Sequence, residues 1–291
     1  MTQLTLIGFG EAAQAFAKGW NAPRGFDLGC YDRKMGGAER ATVLERAAAL
    51  SVTAQDSPEA ALSGAQIVLS LVTADQAVHA ARDYAPFLRP EALWLDCNSC
   101  APSSKTQAAG YVQAAGGRYV DVAVMAPVYP KLHHVPLLVS GPHAASALPY
   151  LQALDMRATL AGPEIGAASS VKMIRSVMIK GMEALSAECL LAARRANLTD
   201  AVIASLQASD PDTDWAARGN YNLERMMVHG TRRAAEMEEV AKTLADLGLP
   251  NDMAQAVTRW QRAVGSLGLG AGKDGLESRS TAVLEGLAHK G

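Results

Sequence analysis

The sequence predicts an α/β domain built on a doubly wound parallel sheet, followed by an all-α domain joined to it by a long helix. Three features carry this reading. Short apolar runs alternate with helix-compatible stretches through the first half of the 291-residue chain. A glycine-rich turn, Gly8-Phe-Gly10-Glu-Ala-Ala13, falls between the first such run and the first such stretch. Beyond Gly162-Pro163 the strand signals stop. Apolar strands that alternate with helices form βαβ units, whose sheets are parallel and covered on both faces.

Strands are expected at residues 4–7, 26–31, 67–71, 92–95 and 119–124. A further strand, 137–140, ends on the turn pair Gly141-Pro142, and another at 157–160 completes the sheet. Segments 12–20, 38–49 and 75–84 carry apolar residues at helical spacing. The run 164–197 has no proline, and its only glycines are Gly166 and Gly181. A helix of about 30 residues spans about 45 Å, enough to join two domains or form an interface. Gly181 would mark a bend or a close packing point. Segment 223–247 is a further helix that stops at Gly248-Leu-Pro250, a C-cap signal. The glycine-rich tail after Gly265 reads as loosely ordered. The expected domains are therefore 1–162 and 163–291.

Nearly half of the residues are hydrophobic and the formal net charge is −2. That balance offers no basic field for nucleic acid and no charged tail. Residues 3–7 enter a strand without a basic leader, and no apolar run approaches the roughly 20 residues that span a bilayer. The expected location is the cytoplasm, with no membrane partner. Cys97 and Cys100 form a C-x-x-C pair, but with no second pair or histidine cluster they read as small residues near a strand end.

The turn at Gly8 has the context of a dinucleotide-binding fingerprint of Rossmann type. Gly8 permits the tight turn, Gly10 lets the backbone approach a pyrophosphate, and the small Ala13 allows close helix packing while the helix N-terminus faces the anion. Asp32 lies 22 positions after Gly10 at the end of the second strand, where it can accept from the ribose hydroxyls. This favours NAD, although Arg33 and Lys34 follow at once and suit the 2′-phosphate of NADP. Loops at strand C-termini line the ligand crevice of such a sheet, which brings in Thr73 and Asn98; either can instead cap a helix, as can Ser99 or Ser103. The expected cofactor set is Gly8, Phe9, Gly10, Glu11, Ala12, Asp32, Arg33, Thr73 and Asn98.

The sequence resembles the β-hydroxyacid dehydrogenase family, which includes 3-hydroxyisobutyrate and 6-phosphogluconate dehydrogenases. The matching elements are Leu6-Ile-Gly8-Phe-Gly10, Asp96-Cys-Asn98-Ser99 with Pro102, residues 121–127, and Gly166-Ala-Ala-Ser-Ser-Val-Lys172. They cover roughly residues 1–195. The segment 222–248, with His229-Gly-Thr-Arg232-Arg233-Ala-Ala-Glu236, resembles a less characterised branch that carries its own C-terminal domain. The resemblance implies that Lys172 is the proton-transfer residue and that the helical domain completes the site of a partner subunit in a homodimer. Hydride transfer from a hydroxyl carbon needs a base for the hydroxyl proton, and a lysine serves near neutral pH only where burial or neighbouring charge tunes it. Val171, Met173 and Ile174 give Lys172 an apolar flank for that purpose.

Two departures bear on the substrate. Family members commonly carry an asparagine four residues after the lysine; here it is Ser176, one helical turn on, with a shorter side chain. The family's Ser-Gly-Gly substrate loop is here Met125-Ala126-Pro127, which lacks polar groups for a carboxylate. Arg225, His229 and Arg232 recur at i, i+4 and i+7, so one helix face can present a replacement anion clamp, or an ordinary charged surface paired with Glu236 and Glu239. His133-His134 lies in a loop after Pro130-Lys131; adjacent histidines do not easily face one point, so no metal site is expected.

The expected activity is NAD(P)-dependent hydride transfer between nicotinamide and a small, anionic hydroxy acid, expected to be a 3-hydroxy acid, or its oxo acid, with Lys172 as general acid/base. An imine reductase on the same scaffold and a non-catalytic dinucleotide sensor are the alternatives.

Overall fold

The computed structural model describes residues 1–289 of the chain, which divides into two compact units between Met173 and Ile174. In chain order the first unit holds β1 (Thr2–Ile7), α1 (Glu11–Trp20), β2 (Phe26–Tyr31), α2 (Arg40–Ala49), β3 (Thr53–Ala54), α3 (Pro58–Leu62) and β4 (Ile67–Ser70). It continues with α4 (Ala77–Tyr84), β5 (Leu93–Asp96), α5 (Pro102–Ala114), β6 (Arg118–Val124), β7 (Leu137–Ser140), α6 (Ala144–Ala153) and β8 (Ala158–Gly162). The strands form one sheet in the order β3-β2-β1-β4-β5-β6-β7-β8.

Alternation along the strands explains the layers. Leu4, Leu6, Leu69, Leu95 and Val122 pack with residues of α1 and α6 on one face. Ile7, Val68, Trp94 and Tyr119 pack with α3, α4 and α5 on the other. Successive side chains point to opposite faces, so strands covered by helices on both sides are apolar throughout.

The expected strands are present, with the two-residue β3 in addition. The direction of the last two differs from expectation. β6 pairs with β7 antiparallel, and β8 runs parallel to β7. A parallel crossover needs a long return, usually a helix. Residues 125–136 contain only a 3-10 turn, Leu132–His134, so the chain re-enters the sheet at the end it left.

α7 (Ala167–Arg195) spans the division between the units as one helix. Among the described residues a Cβ on its Gly181 would meet nothing within 4 Å, so the chain makes no close contact with itself there. The second unit continues with α8 (Thr199–Ser209), α9 (Trp215–Asp246), α10 (Asp252–Gly265) and α11 (Leu276–Ala288). Asp214 caps α9 by accepting from Ala217 N at 2.9 Å. Gly248 ends it at φ +71°, with Gly248 N donating to Ala245 O and Leu249 N to Leu244 O, the Schellman pattern its sequence predicts.

α9 and α10 touch backbone to backbone: a Cβ on Gly230 would lie 2.4 Å from Gln261 O, and one on Gly265 2.3 Å from Thr231 N. The tail after Gly265 is more ordered than expected, because α11 buries Val283 in a core with Leu191, Leu223, Met226 and Val264. Among the described residues no helix is long and apolar enough to cross a membrane.

Candidate active site

The register aligns Ile7 with Tyr31 and Ser70, Ser70 with Asp96, and Asp96 with Asp121. The loops that follow these parallel strands therefore leave along one edge, and they carry Gly8, Asp32, Thr73, Asn98 and Met125. Gly8 adopts φ +84°, and a Cβ there would sit 2.9 Å from Leu71 O, so only glycine fits. A Cβ on Gly10 would meet nothing within 4 Å, and no side chain caps the N-terminus of α1. Open space before uncapped helix amides suits a pyrophosphate.

Phe9 and Glu11 can act only through their backbone. The Phe9 ring is buried in the core, and its N–H donates to Asp32 Oδ2 at 2.8 Å. Glu11 is exposed in the first turn, where its carboxylate would repel a phosphate. Ala12 packs against the core with its turn. Asp32 Oδ1 accepts from Lys34 N at 3.0 Å, so the carboxylate is fixed in place. Arg33 donates to Gln76 Oε1 at 2.9 Å, and Lys34 pairs with Glu39 at 2.6 Å. The exposed Thr73 hydroxyl engages Asp75.

Asn98 does not cap a helix. It is buried, and its amide nitrogen donates to Ser70 Oγ at 3.0 Å and Asp96 Oδ1 at 2.7 Å. Its Oδ1 is left buried without a hydrogen-bond partner among the described residues. An orphaned acceptor in this loop is what a ribose hydroxyl or carboxamide N–H would satisfy, since a buried unpaired polar atom is costly. The residues present thus fit a dinucleotide.

Lys172 Nζ donates to Ser99 Oγ at 2.6 Å. Ser99 is therefore a partner of the lysine; the cap position of α5 is Ala101, with Pro102 opening the helix. The apolar flank is uneven: Met173 is buried, but Val171 and Ile174 are exposed.

Sequence reasoning missed the network beneath this pair. Lys105 is fully buried and donates to Asp96 O at 2.7 Å, with its Nζ 2.9 Å from Asp96 Oδ1 and 3.4 Å from Asp121 Oδ1. Tyr119 OH donates to Asp96 Oδ2 at 2.7 Å. Asp121 accepts from Ser140 Oγ at 3.1 Å and from Ser169 N and Oγ at 3.0 and 2.6 Å, and Ala168 N donates to Ser140 Oγ at 3.0 Å. Burial opposes the Lys105 charge, but Asp96 and Asp121 outweigh it and hold the ammonium above the ordinary lysine value. Asp121 thus anchors the first turn of α7, one turn before Lys172, while Asp96 anchors the Asn98–Ser99 loop. The signal was available: Asp121 lies inside an apolar strand, and a buried charge requires a partner.

The second unit contains a compact cationic cluster. Ser176, buried one turn after Lys172 on α7, accepts from Lys180 Nζ at 3.0 Å, and Lys180 lies 3.1 Å from Glu236 Oε2. Arg232 also pairs with Glu236, and Arg233 pairs with the buried Glu183, which accepts from Gln261 Nε2 at 2.8 Å. Arg225 Nε is buried without a hydrogen-bond partner among the described residues. The His229 imidazole is pushed down to about 4, by burial and then by the Arg225, Arg232 and Arg233 charges. Lys180, Arg225, Arg232 and Arg233 thus gather around Glu183 and Glu236 beside a neutral imidazole, an arrangement that suits an anionic ligand. Lys180 and Arg233 were not foreseen.

Met125 leaves β6 with its N–H donating to Pro136 O at 2.9 Å; Ala126 packs on the core and Pro127 is exposed. None of the four cysteines is in a disulfide, and burial pushes the Cys97 thiol up to about 12, which leaves it unreactive.

A family model described as the NAD binding domain of 6-phosphogluconate dehydrogenase matches residues 3–153. A second, described as a domain of unknown function (DUF1932), matches residues 193–264. A conserved hypothetical protein from Sinorhizobium meliloti is 38% identical, with 99% of this chain and 97% of that one covered at a TM-score of 0.74. The 3-hydroxyisobutyrate dehydrogenase of Mycobacterium tuberculosis, solved with L-serine, shares the fold at 15% identity, 98% and 99% coverage and a TM-score of 0.72. An imine reductase from Streptomyces aurantiacus does so at 20% identity, 98% and 99% coverage and a TM-score of 0.58. The chain belongs to the β-hydroxyacid dehydrogenase family, with an NAD(P)-binding first unit, in the branch whose helical region is the domain of unknown function.

Proposed function

We propose that the protein is a cytoplasmic, NAD-dependent oxidoreductase that interconverts a small hydroxy acid and its oxo acid, with Lys172 as proton carrier. The observation that carries this reading is the 2.6 Å hydrogen bond from Lys172 Nζ to Ser99 Oγ, which holds the amine at the loop of the orphaned Asn98 acceptor. Nicotinamide, when bound, supplies the hydride acceptor or donor. Lys172 takes the substrate hydroxyl proton in oxidation and returns it in reduction, and Ser99 fixes the direction of its Nζ. Ser176, paired with Lys180, acts as a positioning group in the stripe formed by residues 172, 176 and 180 of α7.

The cationic cluster of Lys180, Arg225 and Arg232 beside neutral His229 supports a carboxylate-bearing substrate. In the first unit, Met125, Ala126 and Pro127 offer a substrate an apolar loop. The preference for NAD rests on Asp32, whose fixed carboxylate repels a 2′-phosphate, and on Arg33 and Lys34, which already engage Gln76 and Glu39. Free thiols fit a reducing compartment. A homodimer is supported by the exposed Ile174, Met178 and Leu185 at helical spacing on α7; light scattering tests it.

The apolar 125–127 loop favours a second reading, reduction of a cyclic imine. The deciding experiment measures NADH and NADPH affinity, then screens hydroxy acids and cyclic imines for cofactor turnover with wild type and Lys172→Ala. Turnover of a hydroxy acid that falls about 10²–10⁴-fold in the variant is expected for loss of a general acid/base. Imine turnover alone supports the second reading, and equal turnover by both proteins removes Lys172 from the chemistry.

A further inference from the structure

The first unit contains a second group of side chains that the reaction does not use. In the turn Leu132–His134 and the bend before β8, one ring nitrogen each of His133 and His134 and one carboxylate oxygen of Asp155 all lie within 4.8 Å of one another. The closest pair, His134 Nε2 and Asp155 Oδ2, is 2.9 Å apart. The two rings stack with centroids 3.9 Å apart at 43°, so adjacent histidines do converge here, against the sequence expectation.

We propose that His133, His134 and Asp155 form a binding site for a zinc-class divalent cation, with two imidazole nitrogens and one carboxylate oxygen as ligands. Donors on a tetrahedral zinc ion lie about 3.4 Å apart for metal–ligand bonds of about 2.0–2.1 Å. The observed spacing therefore needs only small side-chain rotations. Two soft-to-borderline nitrogens with one oxygen select zinc or cobalt over magnesium or calcium, which take oxygen sets.

His133 is only 8% exposed, and its Nδ1 is buried against Gly19, which leaves Nε2 as the ring's ligand atom. Gly19 is what admits this ring, since a Cβ there would lie 2.0 Å from Nδ1. Burial, and then the neighbouring His134, pull the His133 imidazole below its ordinary value, so it is neutral near pH 7, the form that ligates. The His134 hydrogen bond holds Asp155 below the usual carboxylate range, so it is anionic.

The group borders a cleft of about 470 Å³ that also receives Lys18, Lys131 and Arg157. These cations weaken the attraction for a metal ion, which makes the site weaker than a closed structural centre. They also favour an anion as fourth ligand, in the position that three protein ligands leave open. A bound ion would tie the 125–136 loop, whose first residues offer a substrate an apolar stretch, to the segment before β8.

Titration of the full-length protein with Co²⁺, read by its d–d absorption, and with Zn²⁺ by competition tests this directly. One ion per chain is expected, with affinity at least about tenfold weaker in both His134→Gln and Asp155→Asn, and no response to Mg²⁺. Both side chains are exposed enough that these variants should keep the wild-type thermal midpoint, unlike His133→Ala, which opens the core. No saturable binding at one ion per chain, or equal binding by wild type and both variants, overturns the proposal. Neither result bears on turnover or on cofactor affinity.

Discussion

Lys172 Nζ and Ser99 Oγ meet at 2.6 Å, and the two residues are held from below by carboxylates that share one buried lysine. Ser99 follows Asp96, Ser169 donates to Asp121, and Lys105 lies against both acids. The amine is thus oriented at its tip and its helix anchored at its base. Ser99→Ala removes the tip contact alone. A hydrogen bond to a charged group contributes about 1.5–3 kcal/mol, so turnover should fall roughly 10- to 100-fold with cofactor affinity unchanged. Steady-state rates beside NADH titrations separate the two; equal losses in both would remove the orienting role.

Lys105→Met should be among the most damaging changes in the first unit. It leaves Asp96 and Asp121 buried without their shared cation, and breaking a buried pair from one side costs about 3–5 kcal/mol. Two unpaired buried carboxylates have raised proton affinity, so one takes a proton as the pH drops. Their stabilising protonation is present at low pH and lost as pH rises. The deficit in denaturant midpoint relative to wild type should therefore be smaller at about pH 5 than at pH 8. A deficit independent of pH would show that the carboxylates are not the source.

Much of this was legible in the chain. Strands at 26–31 and 137–140 appear with the bounds their apolar runs predict, because helices cover both faces and demand continuous apolar sequence. β3 was not legible, since two residues make no pattern. The reversal of β7 was hidden too, because direction depends on what the 125–136 connection does rather than on strand composition. At the site, Gly8 and Lys172 were readable from motif context. Ser99 was expected as a cap and is a partner of Lys172, while Lys105 and Lys180 look like any solvated lysine until the fold supplies their acids.

The ribose-reading residue gives a direct test of cofactor choice. Asp32 accepts from Phe9 N and Lys34 N, and its anionic carboxylate opposes a 2′-phosphate. Wild type should bind NADH more tightly than NADPH. Asp32→Ser should narrow or reverse that order by about tenfold or more, since it removes the repulsion and leaves Arg33 and Lys34 in place. Fluorescence titration with both cofactors decides; tighter NADPH binding by wild type would contradict the assignment.

Arg225 tests the anion clamp. Its buried Nε has no partner within the described residues, so the protein loses no hydrogen bond at that atom in Arg225→Met. Folding stability should stay within about 1 kcal/mol, whereas KM for a carboxylate substrate should rise roughly 10- to 100-fold, the loss of a charge-assisted hydrogen bond. Arg233→Met should behave oppositely, because Glu183 is buried and would lose its counter-charge, keeping only the Gln261 hydrogen bond. A variant at Arg225 with unchanged KM would reassign that face of α9 to structure alone.

His229 predicts how stability depends on pH. Its imidazole is pushed down to about 4 in the folded protein, by burial first and then by Arg225, Arg232 and Arg233. In the unfolded chain it titrates near about 6.5. Between those values the unfolded state binds the extra proton, so the stabilisation is complete above about pH 6.5 and is lost as the pH falls toward 4. His133 shifts in the same direction and contributes to the same window. The lowered carboxylates Asp75, Asp83, Asp155 and Asp274 act only below it, because their ordinary value is 3.8. His229→Gln should therefore lose less stability than wild type between about pH 7 and pH 4.5, measured as urea midpoints at matched ionic strength. Parallel decline of the two proteins would mean that His229 takes up its proton in the folded state at its ordinary value.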